Sequence, residues 1–107
     1  MIIVRILRKQ NDLLGFDIKG HAGEEEAGEN IVCAAVSSAA HMAINTITDV
    51  IHAHAQVYVD PDGALFARII SGYNQSCNDV LKGLESHLVE ISKEFPHAIS
   101  IRTEEII

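Results

Sequence analysis

The sequence predicts a single α+β domain over residues 1–107, a two-layer sandwich in which two helices cover one face of a mainly antiparallel sheet. Three observations support this prediction. Apolar residues alternate in two short N-terminal stretches, two longer stretches have apolar residues at helical spacing, and a strong turn signal separates two β-rich runs. Along the chain, these patterns give the order β-β-α-β-β-α-β.

The first two predicted strands lie at residues 2–7 and 14–19, on either side of a turn at residues 10–12. Their alternating apolar positions are Ile2, Val4, Ile6, Leu14, Phe16 and Ile18. The second strand ends just before His21, so its path brings that histidine to one end of the sheet.

The two predicted helices span residues 31–51 and 75–93. Their core-facing residues recur at helical spacing: Val36, Ala40, Ile44 and Ile47 in the first, and Val80, Leu81, Leu84, Leu88 and Ile91 in the second. Many other residues of the first helix are small, which permits close packing against the sheet. Pro96 ends the second helix, and Ile99 and Ile101 belong to a last strand.

A hairpin is predicted between the two helices. The tetrapeptide Asp60-Pro61-Asp62-Gly63 is a strong turn signal. It separates the β-rich runs 57–59 and 65–70, which therefore pair as antiparallel strands.

Composition and charge limit the class of protein. The net charge of −7 argues against direct contact with nucleic acid and is compatible with a basic protein partner. The carboxylates concentrated at residues 24–26 and 29 form either a solvated surface loop or an attractive field for a lysine-rich segment. No apolar run is expected to approach the roughly 20 residues needed to cross a membrane. Two cysteines make no disulfide framework, and we expect a cytoplasmic thiol protein without a signal peptide.

No cofactor is predicted. The sequence lacks both the glycine pattern of dinucleotide-binding folds and a phosphate loop. His41, His52 and His54 match no tight zinc spacing with Cys33 or Cys77, so a metal site is not expected either. We expect Cys77 to be an inert helix residue.

The residues most informative about function are His21 and Cys33, twelve positions apart. Asn30 is the predicted N-cap of the first helix, which makes Cys33 its third residue. N–H groups in a first turn lack helical partners and, with the macrodipole, favour a thiolate. A nucleophile, a base and a helix N-terminus are the requirements of thiol-based acyl chemistry. A small buried helix residue would fit the same pattern around Cys33.

Two short motifs point to a family. Gly20-His21-Ala22, followed by a loop and by Ile31-Val32-Cys33-Ala34-Ala35-Val36-Ser37, resembles the ribosomal-processing cysteine protease family, also called Prp. The resemblance extends over nearly the whole chain in length and element order. It implies that His21 is the catalytic histidine and Cys33 the nucleophile. Asn30 stands where members often have an aspartate, and an asparagine can both cap the helix and orient His21.

The resemblance also implies an activity. Members remove a short N-terminal extension from large-subunit ribosomal protein number twenty-seven, and they are typically homodimers. In the expected mechanism Cys33 attacks the scissile carbonyl and His21 transfers the proton. The backbone N–H groups of Cys33 and Ala34 are the expected oxyanion donors. Ser37, one helical turn beyond Cys33, either hydrogen-bonds near the site or packs.

A substrate loop is expected at residues 22–29. Gly20, Ala22, Gly23 and Gly28 belong to it or border it, and Gly23 and Gly28 are its expected hinges for closure over the peptide. Two alternatives stay open. One is a non-catalytic ribosome-assembly module that binds a basic ribosomal protein segment. The other is a redox or acyl-carrier protein that uses Cys33 without proteolysis.

Overall fold

The elements of the computed structural model, which describes residues 1–20, 27–61 and 63–106, follow the predicted order. The strands are β1 (Ile2–Lys9), β2 (Asp12–Lys19), β3 (His54–Val59), β4 (Leu65–Ser71) and β5 (Ile99–Glu105). The helices are α1 (Ala27–Asn45), which continues as a π-helical turn at Thr46–Val50, and α2 (Gln75–Glu94).

The five strands form one mixed sheet in the order β3-β4-β2-β1-β5. Three of its four pairings are antiparallel, and β5 runs parallel to β1. The predicted α+β sandwich with a mainly antiparallel sheet is therefore confirmed. The order places β3 and β5 at the two edges of the sheet.

The core lies between the helices and one face of the sheet. Register places Ile6 opposite Phe16 and Phe16 opposite Ala67, so these three side chains share that face. The largest residues that are fully buried there come from both layers: Val4, Ile6, Phe16, Val32, Val36, Cys77, Leu81 and Leu88. On the opposite face, Arg5 binds the buried carboxylate of Asp17, its cross-strand neighbour.

Helix α1 begins at Ala27, four residues before the predicted start. Asn30 is therefore inside the helix, and the prediction that it is the N-cap is wrong. Ala27 is a strong helix former, and a glutamate at position 29 is favourable near the positive end of the macrodipole. These preferences extend the helix into the segment predicted as loop, so Gly28 lies in the first turn and Cys33 in the second.

The apolar length of this first helix also differs from expectation. Ile31–Val50 spans 20 residues with a mean hydropathy of 1.4, which is long and apolar enough to cross a membrane. The prediction that no run approaches this length is wrong. A single such helix is weak evidence of a membrane span, because the core helix of a globular domain has the same composition. Here Val32, Val36 and Ala40 are buried in the core.

Helix α2 matches its predicted bounds within one residue. Asn74 is its N-cap, and its side-chain oxygen accepts a hydrogen bond from the N–H of Cys77 at 3.1 Å. The helix ends at Glu94, before Pro96, as predicted.

Candidate active site

A pocket of about 370 Å³ lies at one end of the sheet, beside the first half of α1. Its sheet side is apolar and includes Ile18, Val59 and Leu65, from three different strands. Its helix side includes Cys33 and Ser37. No lysine, arginine, aspartate or glutamate lines the pocket among the described residues. The pocket therefore sets a thiol against an apolar wall.

The polar residues of the pocket lie in one line along α1. Cys33, Ser37 and His41 follow one another at intervals of four, which places them on one side of a helix. At 1.5 Å of rise per residue, Cys33 and His41 are about 12 Å apart along the axis. The sequence pattern suggested His41 only in connection with a metal site, and its place in this pocket is not among the predicted features. Its spacing of eight residues from Cys33 is the signal that would have found it.

Cys33 is a thiol that is partly buried and packs against the core cluster. This position leaves the residue in contact with both the pocket and the hydrophobic interior. By contrast, Cys77 is fully buried, in keeping with the expectation of an inert residue.

Gly20 directly follows the last residue of β2 and lines the pocket. Its φ of +88° lies in the left-handed region, and a Cβ at this position would be 2.4 Å from the carbonyl oxygen of Met1. Any other residue would therefore be strained and would clash with the backbone of Met1, just before β1. Glycine allows the chain to turn at the pocket just before His21.

The predicted partner of Cys33 is not among the residues that the structure describes. His21, Ala22 and Gly23 all lie outside them, as do the carboxylates at residues 24–26. The pairing of His21 with Cys33 therefore stays a prediction. The side chain of Asn30 is also outside the described part of the chain, so its role in orienting His21 stays a prediction too.

The predicted oxyanion donors need correction. Only the first four N–H groups of a helix lack a partner within it. Because α1 begins at Ala27, the N–H groups of Cys33 and Ala34 lie beyond that set and point to carbonyl oxygens four residues back. The assignment of both groups as unpaired first-turn donors is wrong. Ser37 does line the pocket, as expected if it hydrogen-bonds near the site.

The described residues contain no cluster of three or more histidine, cysteine or acidic side chains that could hold a metal ion. The chemistry available in the described part of the pocket is that of a cysteine, a serine and a histidine on one helix.

Comparisons with known proteins connect this chain with a family of cysteine proteases. A family model described as cysteine protease Prp matches residues 1–100. The structure is similar to that of the ribosomal processing protease Prp from S. aureus in complex with a covalently linked product peptide, with a TM-score of 0.86, 24% identity, and coverage of 97% of this chain and 100% of that one. No curated protein sequence matches.

Two further solved structures have the same fold. SMU.848 from Streptococcus mutans has a TM-score of 0.86 and 21% identity, with coverage of 99% of this chain and 96% of that one. A hypothetical protein from S. aureus has a TM-score of 0.76 and 18% identity, with coverage of 97% and 100%. At these identities the likeness shows the fold.

Proposed function

The chain belongs to the cysteine protease Prp family, and on that premise we propose that it removes the short N-terminal extension of large-subunit ribosomal protein number twenty-seven during ribosome maturation. The observation on which this proposal rests is the position of Cys33 in the pocket at the end of the sheet. A thiol that a peptide can reach is the first requirement of a cysteine protease. The reaction would take place in the cytoplasm, where ribosomes assemble.

In the proposed mechanism the sulfur of Cys33 attacks the carbonyl carbon of the scissile bond. His21 accepts the thiol proton and passes it to the leaving amine as the C–N bond breaks. The remaining thioester is hydrolysed by a water molecule that His21 deprotonates, which releases the extension and restores the thiol. The position of Gly20 supports this role for His21, because Gly20 lines the pocket and directly precedes His21 in sequence.

The pocket and the charge of the chain support a substrate with two kinds of sequence. Ile18, Val59 and Leu65 form an apolar wall that suits an aromatic or aliphatic side chain next to the scissile bond. The net charge of −7 favours approach of a basic segment, such as the lysine-rich sequence expected after the cleavage site. The family resemblance implies a cleavage site with an aromatic pair, then a small residue, then lysine-rich sequence, and a peptide of this kind meets both conditions.

Mass spectrometry of such a peptide after incubation with the protein tests the proposal. We expect the wild type to cut one bond and C33A to leave the peptide intact. C77A is the matched control, because it removes the other cysteine of the chain from a fully buried position. It should cut the same bond as the wild type.

Two results would support the alternatives instead. Binding of the peptide by both wild type and C33A, with no cleavage by either, would indicate a non-catalytic binding module. A redox or acyl-carrier thiol protein would lose its activity in C33A and retain most of it in H21A, whereas the proposed protease needs both residues.

A further inference from the structure

The pocket beside α1 has polar side chains on one side only. Its described residues from the sheet and from the turn between β3 and β4 are aliphatic or glycine. The polar residues on its helix side are Cys33, Ser37 and His41, of which His41 is the farthest from the start of the helix and is exposed. Within the described part of the chain, the side chain of His41 makes no hydrogen bond or ion pair. Its two ring nitrogens are therefore available to a bound peptide.

The distance between His41 and Cys33 determines which part of a peptide His41 can contact. The two residues are eight positions apart on one helix, which separates them by about 12 Å along its axis. An extended peptide advances about 3.3 Å per residue, so this distance is between three and four residue steps. A peptide that lies along α1 with its scissile carbonyl at Cys33 therefore has its fourth or fifth residue from the cut bond at His41.

The lining of the pocket indicates which side of the cut bond lies there. No aspartate or glutamate lines it among the described residues, so a lysine-rich segment would find no partner in it. The aliphatic wall of Ile18, Val59 and Leu65 instead suits the aromatic pair, which precedes the lysine-rich segment in the proposed substrate. The residue that reaches His41 therefore lies on the N-terminal side of the cut bond, in the extension that is removed.

From these observations we propose that His41 is a specificity-determining residue, whose imidazole hydrogen-bonds an asparagine or glutamine side chain at the fourth or fifth residue before the cut bond. This inference rests on the proposed function. An imidazole can donate and accept hydrogen bonds, and so can a side-chain amide. An aliphatic side chain at the same place would displace water from His41 without replacing its hydrogen bonds, which lowers affinity.

Charge disfavours an ionised side chain at this position of the peptide. The net charge of −7 opposes the approach of an acidic residue, and no lysine or arginine lines the described part of the pocket to pair with one. A lysine or arginine of the peptide would likewise meet no carboxylate among the described pocket residues. An uncharged amide pairs with the imidazole and places no charge against the aliphatic wall.

Cleavage of matched peptides by the wild type and by H41L tests this assignment. The peptides share the aromatic pair and the lysines, and they differ only in having glutamine or leucine at the fourth, and then at the fifth, position before the cut bond. We expect the wild type to prefer glutamine at one of these positions by about fivefold in kcat/KM, mainly through KM. H41L should lose this preference, and H41Q should regain part of it because glutamine restores a donor and an acceptor.

N45L is the matched control variant. Asn45 is exposed, lies one helical turn beyond His41 and does not line the pocket, so N45L should keep the wild-type preference. Equal preferences in the wild type and H41L would overturn the proposal, as would a wild type that does not distinguish the peptides at either position. A purely structural role of His41 would lower kcat/KM equally for all peptides, and this result would overturn the proposal too.

Binding measurements separate this inference from the proposed proteolysis. Fluorescence anisotropy of the same peptides with C33A and with C33A/H41L gives their Kd values without cleavage. A preference for glutamine in C33A that H41L removes, without cleavage by the wild type, would support the role of His41 and contradict the proteolysis. Cleavage by the wild type without a preference would do the reverse. Failure of every peptide to bind would contradict both.

Discussion

The two cysteines of this protein lie on different helices and differ in their access to solvent. Cys77 has the local surroundings that sequence analysis predicted for Cys33: a first-turn position with an asparagine N-cap three residues before it. It is nevertheless fully buried. Cys33 lies in the second turn of a longer helix and lines the pocket. The comparison teaches that a helix N-terminus alone does not identify a reactive thiol, because access to a substrate is also required.

The start of α2 instead performs a structural task. The Tyr73 hydroxyl donates to Asp12 at 3.0 Å, and the N–H of Leu13 donates to the buried Asn78 side chain at 2.9 Å. These two bonds attach the start of α2 to the start of β2, and the Asn74 cap closes the first turn of the helix. Cys77 fills space in that junction.

The largest difference between the two cysteines should appear in catalysis. C33A removes the proposed nucleophile and should lower kcat/KM for a cleavable peptide by at least about a thousandfold. C77A should keep near wild-type kcat/KM and lose about 1 kcal/mol of unfolding free energy, because it changes a packed position remote from the pocket. Peptide cleavage assays and urea titrations check both values. Equal activity of wild type and C33A would contradict the assignment.

Chemical labelling should separate the two thiols almost as strongly. Cys33 lines an open pocket and should react with iodoacetamide in the native protein. Cys77 should react at least several thousandfold more slowly, since its exposure requires unfolding at a cost of about 5 kcal/mol or more. Peptide mapping after timed alkylation gives the two rates. Comparable alkylation rates of both cysteines in the native protein would contradict the prediction that burial protects Cys77.

The two asparagines that precede the cysteines should differ by a smaller amount. N74A removes the side-chain cap of α2 and should cost about 1 kcal/mol of unfolding free energy. N30A replaces a residue inside α1 with a better helix former, so it should be neutral or stabilising. Urea denaturation of the pair measures this difference. A larger loss from N30A than from N74A would mean that Asn30 has the capping role after all.

The smallest expected effect is the pH dependence of stability that comes from Tyr73, just before α2. Burial and the hydrogen bond to Asp12 raise the pKa of Tyr73 to about 12 from its ordinary value of 10.0. The neutral hydroxyl is thus favoured by folding, and this contribution to stability is fully present below pH 10 and lost as pH rises toward 12. Ultraviolet titration of tyrosinate should show a component near 12 that Y73F removes. A titration that is unchanged in Y73F would contradict the assignment of this component to Tyr73.

Most of the fold was predictable because its signals are local. Alternation in the first two strands, the turn at residues 60–63 and the apolar stripe of α2 each fix an element within a short window. The start of α1 was missed because the strong capping preference of Asn30 masks the weaker helix preferences of the residues before it. The pairing of β5 beside β1 joins distant parts of the chain and has no local signal.

The site was predictable only in part. The motif around Cys33 located the pocket, since that residue lines it. The place of His41 in the pocket was not predicted, because it depends on which side of α1 faces the end of the sheet where the pocket lies. The partial exposure of Cys33 likewise follows from tertiary packing and not from its neighbours in sequence.

The contact between Gly20 and the carbonyl of Met1 has a practical consequence for anyone who makes this protein. The backbone of residue 1 abuts the rim of the pocket, and Ile2 lines it. A purification tag or fusion partner placed before Met1 would emerge next to the pocket that Cys33 lines and could block the access of a peptide. Assays of cleavage or labelling should therefore use an affinity tag at the other terminus, or one that is removed without leaving extra residues.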